Sequence, residues 1–236
     1  MNKTKSALIL CHKYKMDVGT IGPVLKARGY DLDFQIGFRD PLPAIDPLHH
    51  DLAVVMGGSM GVYEADDYPY LKSEMAYLKA RMAARKPTLG ICLGGQLMAA
   101  SLGQIVEKGV QGPELGWHNI HVTAAGKDSP VRHLDAAHTK VAQAHSDRFN
   151  LPEDAVLLAS SPLYPNQAFS IGPNILGFQC HPEVNEEIIE FWLQSKAYFT
   201  QTGLTLQDIR RDTAQYADTL KKQTEKMLNE WLDGLV

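Results

Sequence analysis

The decapeptide Pro87-Thr88-Leu89-Gly90-Ile91-Cys92-Leu93-Gly94-Gly95-Gln96 reads as a buried strand that runs directly into a helix, with a cysteine at the bend. Gly-x-Cys-x-Gly is the cysteine form of the strand-to-helix nucleophile elbow. Such a turn holds its central residue at positive φ, and only small neighbours two positions away, here Gly90 and Gly94, let the backbone pass. The side chain of Cys92 is thereby thrust out at the carboxyl edge of a sheet. There the free N–H groups and positive end of the following helix favour a thiolate, and the same amides are suited to hold an oxyanion. Taken alone, the glycines also fit tight packing around a buried cysteine, so the reading needs a second element.

Outward from the elbow, short β runs alternate with helical patterns. Residues 7–11 are apolar, 51–56 are apolar after Asp51, and residues 30–36 alternate polar and apolar side chains. Between them lie helical segments at 20–28, closed by Gly29, and at 70–85, where Leu71, Met75, Leu78 and Met82 recur at steps of three and four. That order is the signature of parallel βαβ units. Residues 93–102 form the helix after the elbow. Past Gly103 the pattern changes to short strands at 104–107, 117–123, 139–144, 155–160 and 174–180, which predicts a mixed sheet or a small antiparallel addition. Residues 186–200 return to helix. Residues 1–199 therefore read as one α/β domain, and 200–236 as a C-terminal helical extension. In that extension Leu220, Met227, Leu228, Trp231 and Leu235 form an apolar stripe. Such a face must be covered, either by the chain's own domain or by a second subunit or partner.

The second element is Gly177-Phe178-Gln179-Cys180-His181-Pro182-Glu183. In extended chain residues i and i+2 share a side, so His181 and Glu183 lie together while Pro182 fixes the φ between them. A cysteine nucleophile needs a histidine to handle its proton, and the histidine needs a third group to set its tautomer and angle. Cys92, His181 and Glu183 supply these three roles. The same alternation turns Cys180 away from His181, as a small buried residue.

Composition narrows the alternatives. The 236 residues are 44% hydrophobic, with 27 acidic and 23 basic side chains giving a formal charge of −4. This is an ordinary folded composition, and without a concentration of Lys and Arg neither nucleic acid nor an anionic membrane is an expected partner. No apolar run approaches the roughly 18 residues needed to cross a bilayer, and the run after Lys3 and Lys5 is too short for a signal-peptide core. Three cysteines without a CxxC pair argue against a disulfide framework or zinc site and point to a reducing cytoplasm. His49, His50, His118 and His121 lack ligand partners at metal spacing, and no dinucleotide or P-loop fingerprint is present. No metal or cofactor is expected.

Four segments in order, residues 55–61, 90–96, 144–147 with Leu151-Pro152, and 179–184, resemble those of class I glutamine amidotransferases. The resemblance covers roughly residues 5–199, and residues 166–169 are similar to a stretch in stand-alone members related to the amidotransferase half of GMP synthetase. It implies a flavodoxin-like three-layer sandwich with a mostly parallel central sheet, and a Cys92–His181–Glu183 triad that cleaves the γ-amide of glutamine through a thioester. It also implies an oxyanion hole from the N–H groups of Gly58 and Leu93, with Gln96, Ser146, Asp147 and Ser59 toward the substrate's amino-acid end. Two positions depart from the family pattern: Cys180 stands where an aromatic residue is usual before the histidine, and Ser146 where glycine usually follows His145. No ATP-pyrophosphatase loop is present, so an ammonia acceptor is expected in another chain. The alternatives are a γ-glutamyl peptide or conjugate hydrolase with the same triad, and a non-catalytic interaction protein.

Overall fold

Short apolar runs separated by helical segments fold here into one sheet covered by helices on both faces. The computed structural model describes residues 4–12, 18–39, 42, 45–135, 137 and 139–236. In chain order they form β1 (Lys5–Cys11), α1 (Ile21–Ala27), β2 (Tyr30–Ile36), β3 (Leu52–Val55), α2 (Tyr70–Ala83), β4 (Thr88–Ile91) and α3 (Leu93–Ser101). There follow β5 (Val106–Lys108), β6 (Glu114–His118), β7 (His121–Val122), α4 (Ala124–Lys127), β8 (Val141–His145), β9 (Asp147–Phe149), β10 (Val156–Ser160), β11 (Ala168–Ile171) and β12 (Ile175–Phe178). The chain ends with α5 (Glu186–Trp192), α6 (Lys196–Phe199) and α7 (Leu206–Asp233).

The eight-stranded sheet has the order β2-β1-β3-β4-β12-β11-β10-β7. The first five strands run parallel and the last three pair antiparallel. This is the flavodoxin-like winding with an antiparallel extension. Two small antiparallel pairs, β5 with β9 and β6 with β8, stand apart from it. Side chains alternate between two cores, which is why the central strands are apolar without interruption. Ala7, Ile9, Leu52 and Val54 pack with α1, α5 and α7 on one face, and Leu8, Leu10, Ala53 and Val55 pack with α2 and α3 on the other.

The expected parallel half is found nearly residue for residue, whereas the second half differs. The run at 117–123 is two strands, β6 and β7, and β6 begins earlier, at Glu114, because that buried carboxylate is paired across the strands with His145. Strands β9 and β11 had no counterpart in the sequence reading. The helix at 186–200 is broken in two: Asn185 caps α5 by accepting from the Ile188 N–H at 2.8 Å, and Ser195 leaves helical geometry at ψ 57°.

Helix α7 is 28 residues long and starts at a Thr205/Asp208 capping box. Leu220, Met227, Leu228 and Trp231 are buried in the core shared with α1 and α5. The Trp231 indole N–H donates to the Pro173 carbonyl at 2.9 Å, and Trp117 donates to Thr213 at 3.0 Å. The chain's own body therefore covers the apolar stripe. Among the described residues no helix is long and apolar enough to cross a membrane.

Candidate active site

Cys92 sits between β4 and α3 with φ 51° and ψ −108°. Among the described residues, only it and Arg85 are non-glycine positions at positive φ. Its neighbours explain how the strain is tolerated. A Cβ at Gly94 would collide with the Val55 carbonyl, and one at Gly90 would lie 2.8 Å from the backbone of Gly94 and Gly95. The Cys92 N–H donates to the Phe178 carbonyl at 2.8 Å, binding the elbow to the end of β12. The N–H of Leu93, first in α3, has no acceptor within the helix.

Three residues beyond β12 lies His181. Its Nδ1 meets Glu183 Oε1 at 2.8 Å, and both side chains are buried. Nε2 makes no well-formed hydrogen bond but has the Cys92 sulfur within reach. Burial works to lower the His181 pKa, yet the charges of Glu183 and Cys92 outweigh it and push it up to about 10. These surroundings favour the protonated form of the ring. The segment is anchored at each residue. His181 N–H donates to Ala142 at 2.9 Å, and the Glu183 carbonyl accepts from Thr20 at 2.9 Å. Between them the fully buried Thr224 of α7 donates its hydroxyl to the Pro182 carbonyl at 2.7 Å. Trp192 packs edge-on against the His181 ring, centroids 4.6 Å apart.

The glycine loop after β3 closes one side. A Cβ on Gly57 would lie 3.2 Å from His181 Cε1 and 3.5 Å from Cys92 Cβ, so this backbone lies against both. Gly58 is equally confined, 3.1 Å from His12 Cβ at that position, while Ser59 is exposed. Gln96 is buried one turn into α3, where its amide donates to Gln179 Oε1 at 3.0 Å. Gln179 in turn donates to Cys92 Sγ at 3.7 Å. Gln96 is thus joined to the cysteine through a second glutamine.

Ser146 and Asp147 sit at the β8–β9 turn. The Ser146 carbonyl accepts from the Gly109 N–H at 2.8 Å. Asp147 is half-buried, which pushes its carboxyl up, although the Tyr63 hydroxyl donates to it at 3.3 Å. Tyr198 of α6 faces the same space, within hydrogen-bonding reach of Ser146 and near Cys92 and Asp147, and burial raises it to about 12. His145 lies beneath the turn, its Nδ1 on the Asp147 carbonyl at 3.0 Å and its Nε2 on Glu114 at 3.1 Å. Cys180 is fully buried with its thiol on the Gln167 carbonyl, and burial, then the charges of Glu183 and Glu114, holds that thiol well above the usual range. The described residues contain no cluster able to hold a metal ion.

The structure thus brings Cys92, His181, Glu183, Gly57 and Gly58 to one point, with Ser146 and Asp147 at its rim. Gln179, Thr224, Trp192 and His12 had no site role in the sequence reading. Only Gln179, beside the His-Pro-Glu run, carried a local signal; the others arrive through tertiary packing. Chemically, the site brings together a thiol at a strained turn, a histidine oriented by a carboxylate and glycine backbone.

The sequence pattern of the family "Glutamine amidotransferase class-I" matches residues 25–189. The glutamine amidotransferase-like protein YfeJ of Salmonella typhimurium is 32% identical over 173 residues, 71% of each chain. Gamma-glutamyl peptidase 4 of Arabidopsis thaliana is 32% identical over 139 residues, 58% of this chain and 55% of that protein. The crystal structure of a glutamine amidotransferase from Thermotoga maritima superimposes with a TM-score of 0.86 at 26% identity, covering 98% of this chain and 100% of the other.

Proposed function

The chain belongs to the glutamine amidotransferase class-I family, and on that premise we propose that it cleaves the γ-amide of glutamine and releases ammonia. The observation that carries this reading is the meeting of a cysteine at positive φ with a buried histidine held at 2.8 Å by its own carboxylate.

In this reading the Cys92 thiolate attacks the γ-carbonyl carbon and the carbonyl electron pair moves to oxygen. The oxyanion is held by the Leu93 and Gly58 N–H groups, donors of a kind worth about 10²–10³ in rate. The His181 imidazolium gives its proton to the departing nitrogen, ammonia leaves, and a γ-glutamyl thioester remains. Neutral His181 then takes a proton from water, the hydroxide attacks the thioester, and collapse returns the thiolate, the imidazolium and glutamate. Glu183 keeps Nδ1 bonded throughout. Asp147 and Ser146 meet the α-amino and α-carboxyl groups. Ammonia passes to an acceptor on another chain.

The second reading, hydrolysis of γ-glutamyl peptides or conjugates, is favoured by the likeness to gamma-glutamyl peptidase 4. Ammonia release from glutamine, measured beside amino-acid release from γ-glutamyl dipeptides, separates the two. Neither product is expected from Cys92→Ala. Activity surviving that substitution would overturn both readings, and an inactive wild type would favour a non-catalytic protein.

A further inference from the structure

His12 and Glu74 form a buried ion-pairing couple that the chemistry above does not use. Their side chains are wholly inaccessible, with His12 Nε2 at 2.8 Å from Glu74 Oε2. His12 is the residue after β1, Glu74 lies on α2, and a side chain at Gly37 would collide with Glu74 Oε1, so the couple fills a space kept open for it. The other ring nitrogen, Nδ1, lies 3.2 Å from the Gly57 carbonyl oxygen. Carbonyl and carboxylate are both acceptors. A neutral imidazole has one N–H, so both bonds together require a second proton on the couple, and the ring cannot rotate without losing one of them.

This contact has a directional consequence. The described residues contain no cis peptide bond, and in a trans peptide the C=O and the next N–H point in opposite directions. Fixing the Gly57 oxygen on His12 therefore aims the Gly58 N–H away from His12. A glycine-glycine link is the backbone least able to hold such a plane by itself. It is also the backbone pressed against His181 Cε1 and Cys92 Cβ.

We propose that His12, locked by Glu74, is a positioning residue that holds the Gly57–Gly58 peptide plane in the orientation that presents the Gly58 N–H to the developing oxyanion. The inference rests on the amide-cleaving reading given above. Neither side chain touches substrate; the couple acts through the backbone it holds.

The test compares two reactions of the same sulfur. Alkylation by iodoacetamide needs the thiolate and no oxyanion hole, whereas turnover of glutamine or a γ-glutamyl anilide needs both. His12→Leu is expected to lower kcat about 10- to 100-fold, with KM moving less than about threefold and the alkylation rate staying within about twofold of wild type. His12→Asn, which keeps a donor near the Nδ1 position, is expected to recover a large part of kcat. Unchanged turnover in His12→Leu overturns the inference. So does a parallel fall of turnover and alkylation, which marks a general loss of structure. A wild type inactive on both substrates instead removes the parent reading, and the oxyanion role goes with it.

Discussion

Replacing Thr224 by Val tests whether the C-terminal helix is part of the catalytic architecture. Thr224 is completely buried, and its hydroxyl is 2.7 Å from the carbonyl of Pro182, the residue between His181 and Glu183. Valine preserves the shape but leaves that buried carbonyl without its donor, a loss of about 1–3 kcal/mol. For a chain of this size each kcal/mol moves Tm by about 2–4 °C, so a fall of roughly 2–12 °C is expected by calorimetry. The backbone anchors at His181 and Glu183 remain, so the imidazole shifts rather than departs. A displacement well under 1 Å, against about 10²-fold for a full ångström, predicts a kcat loss of roughly tenfold or less, with KM little changed. Thr224→Ser, which restores the hydroxyl, should recover most of both. A Val variant with wild-type Tm and wild-type kcat would refute the claim that α7 holds the His-Pro-Glu segment.

Glu183→Gln removes the main charge that raises His181. Because thioester formation needs the imidazolium, activity is lost as pH rises through the His181 pKa, and the basic limb of the kcat/KM profile near pH 10 should move down by about one unit or more; an unmoved limb contradicts the assignment. Gly94→Ala places a methyl group against the Val55 carbonyl at the end of β3; thermal melts should show at least the roughly 1–3 kcal/mol of an overpacked core, and a fully stable variant would show that the elbow is not tightly packed. Burial pushes the Glu114 carboxyl up, but hydrogen bonds from His145 and Ser161 outweigh it and leave it below the ordinary 4.5. Its folded pKa is therefore the lower one, so its stabilisation is complete above the unfolded value and is lost as pH falls through the folded one. Glu114→Gln should flatten the acid side of the Tm-versus-pH curve below about 4.5, whereas a curve as steep as wild type would count against this role.

The parallel half of the fold was readable because each central strand is buried on both faces, so residues 7–11, 51–56 and 87–91 appear as mainly apolar runs, the second ending at glycine and the third at the elbow. His181 and Glu183 were readable for a related reason, since extended chain puts residues i and i+2 on one side, and Cys92 was readable from the glycines of its elbow; the meeting of these two distant segments is tertiary. The antiparallel half was harder. Strand β6 buries Glu114 opposite His145, a polar pair that hides the strand from any apolar count, and β9 has only three residues. Anchors such as Thr224 and His12 act over long sequence separations, through contacts that no periodicity encodes. Gln96 shows the same limit, since its partner Gln179 lies on a different strand end.

The central claim is a covalent bond between Cys92 and a γ-glutamyl group. Intact-protein mass measured after acid quenching during turnover of glutamine or a γ-glutamyl anilide reads that bond directly. The account predicts a mass increase of one γ-glutamyl group, mapped to the Cys92 peptide and absent from Cys92→Ala. Turnover with no adduct on Cys92, together with undiminished turnover in Cys92→Ala, would contradict it.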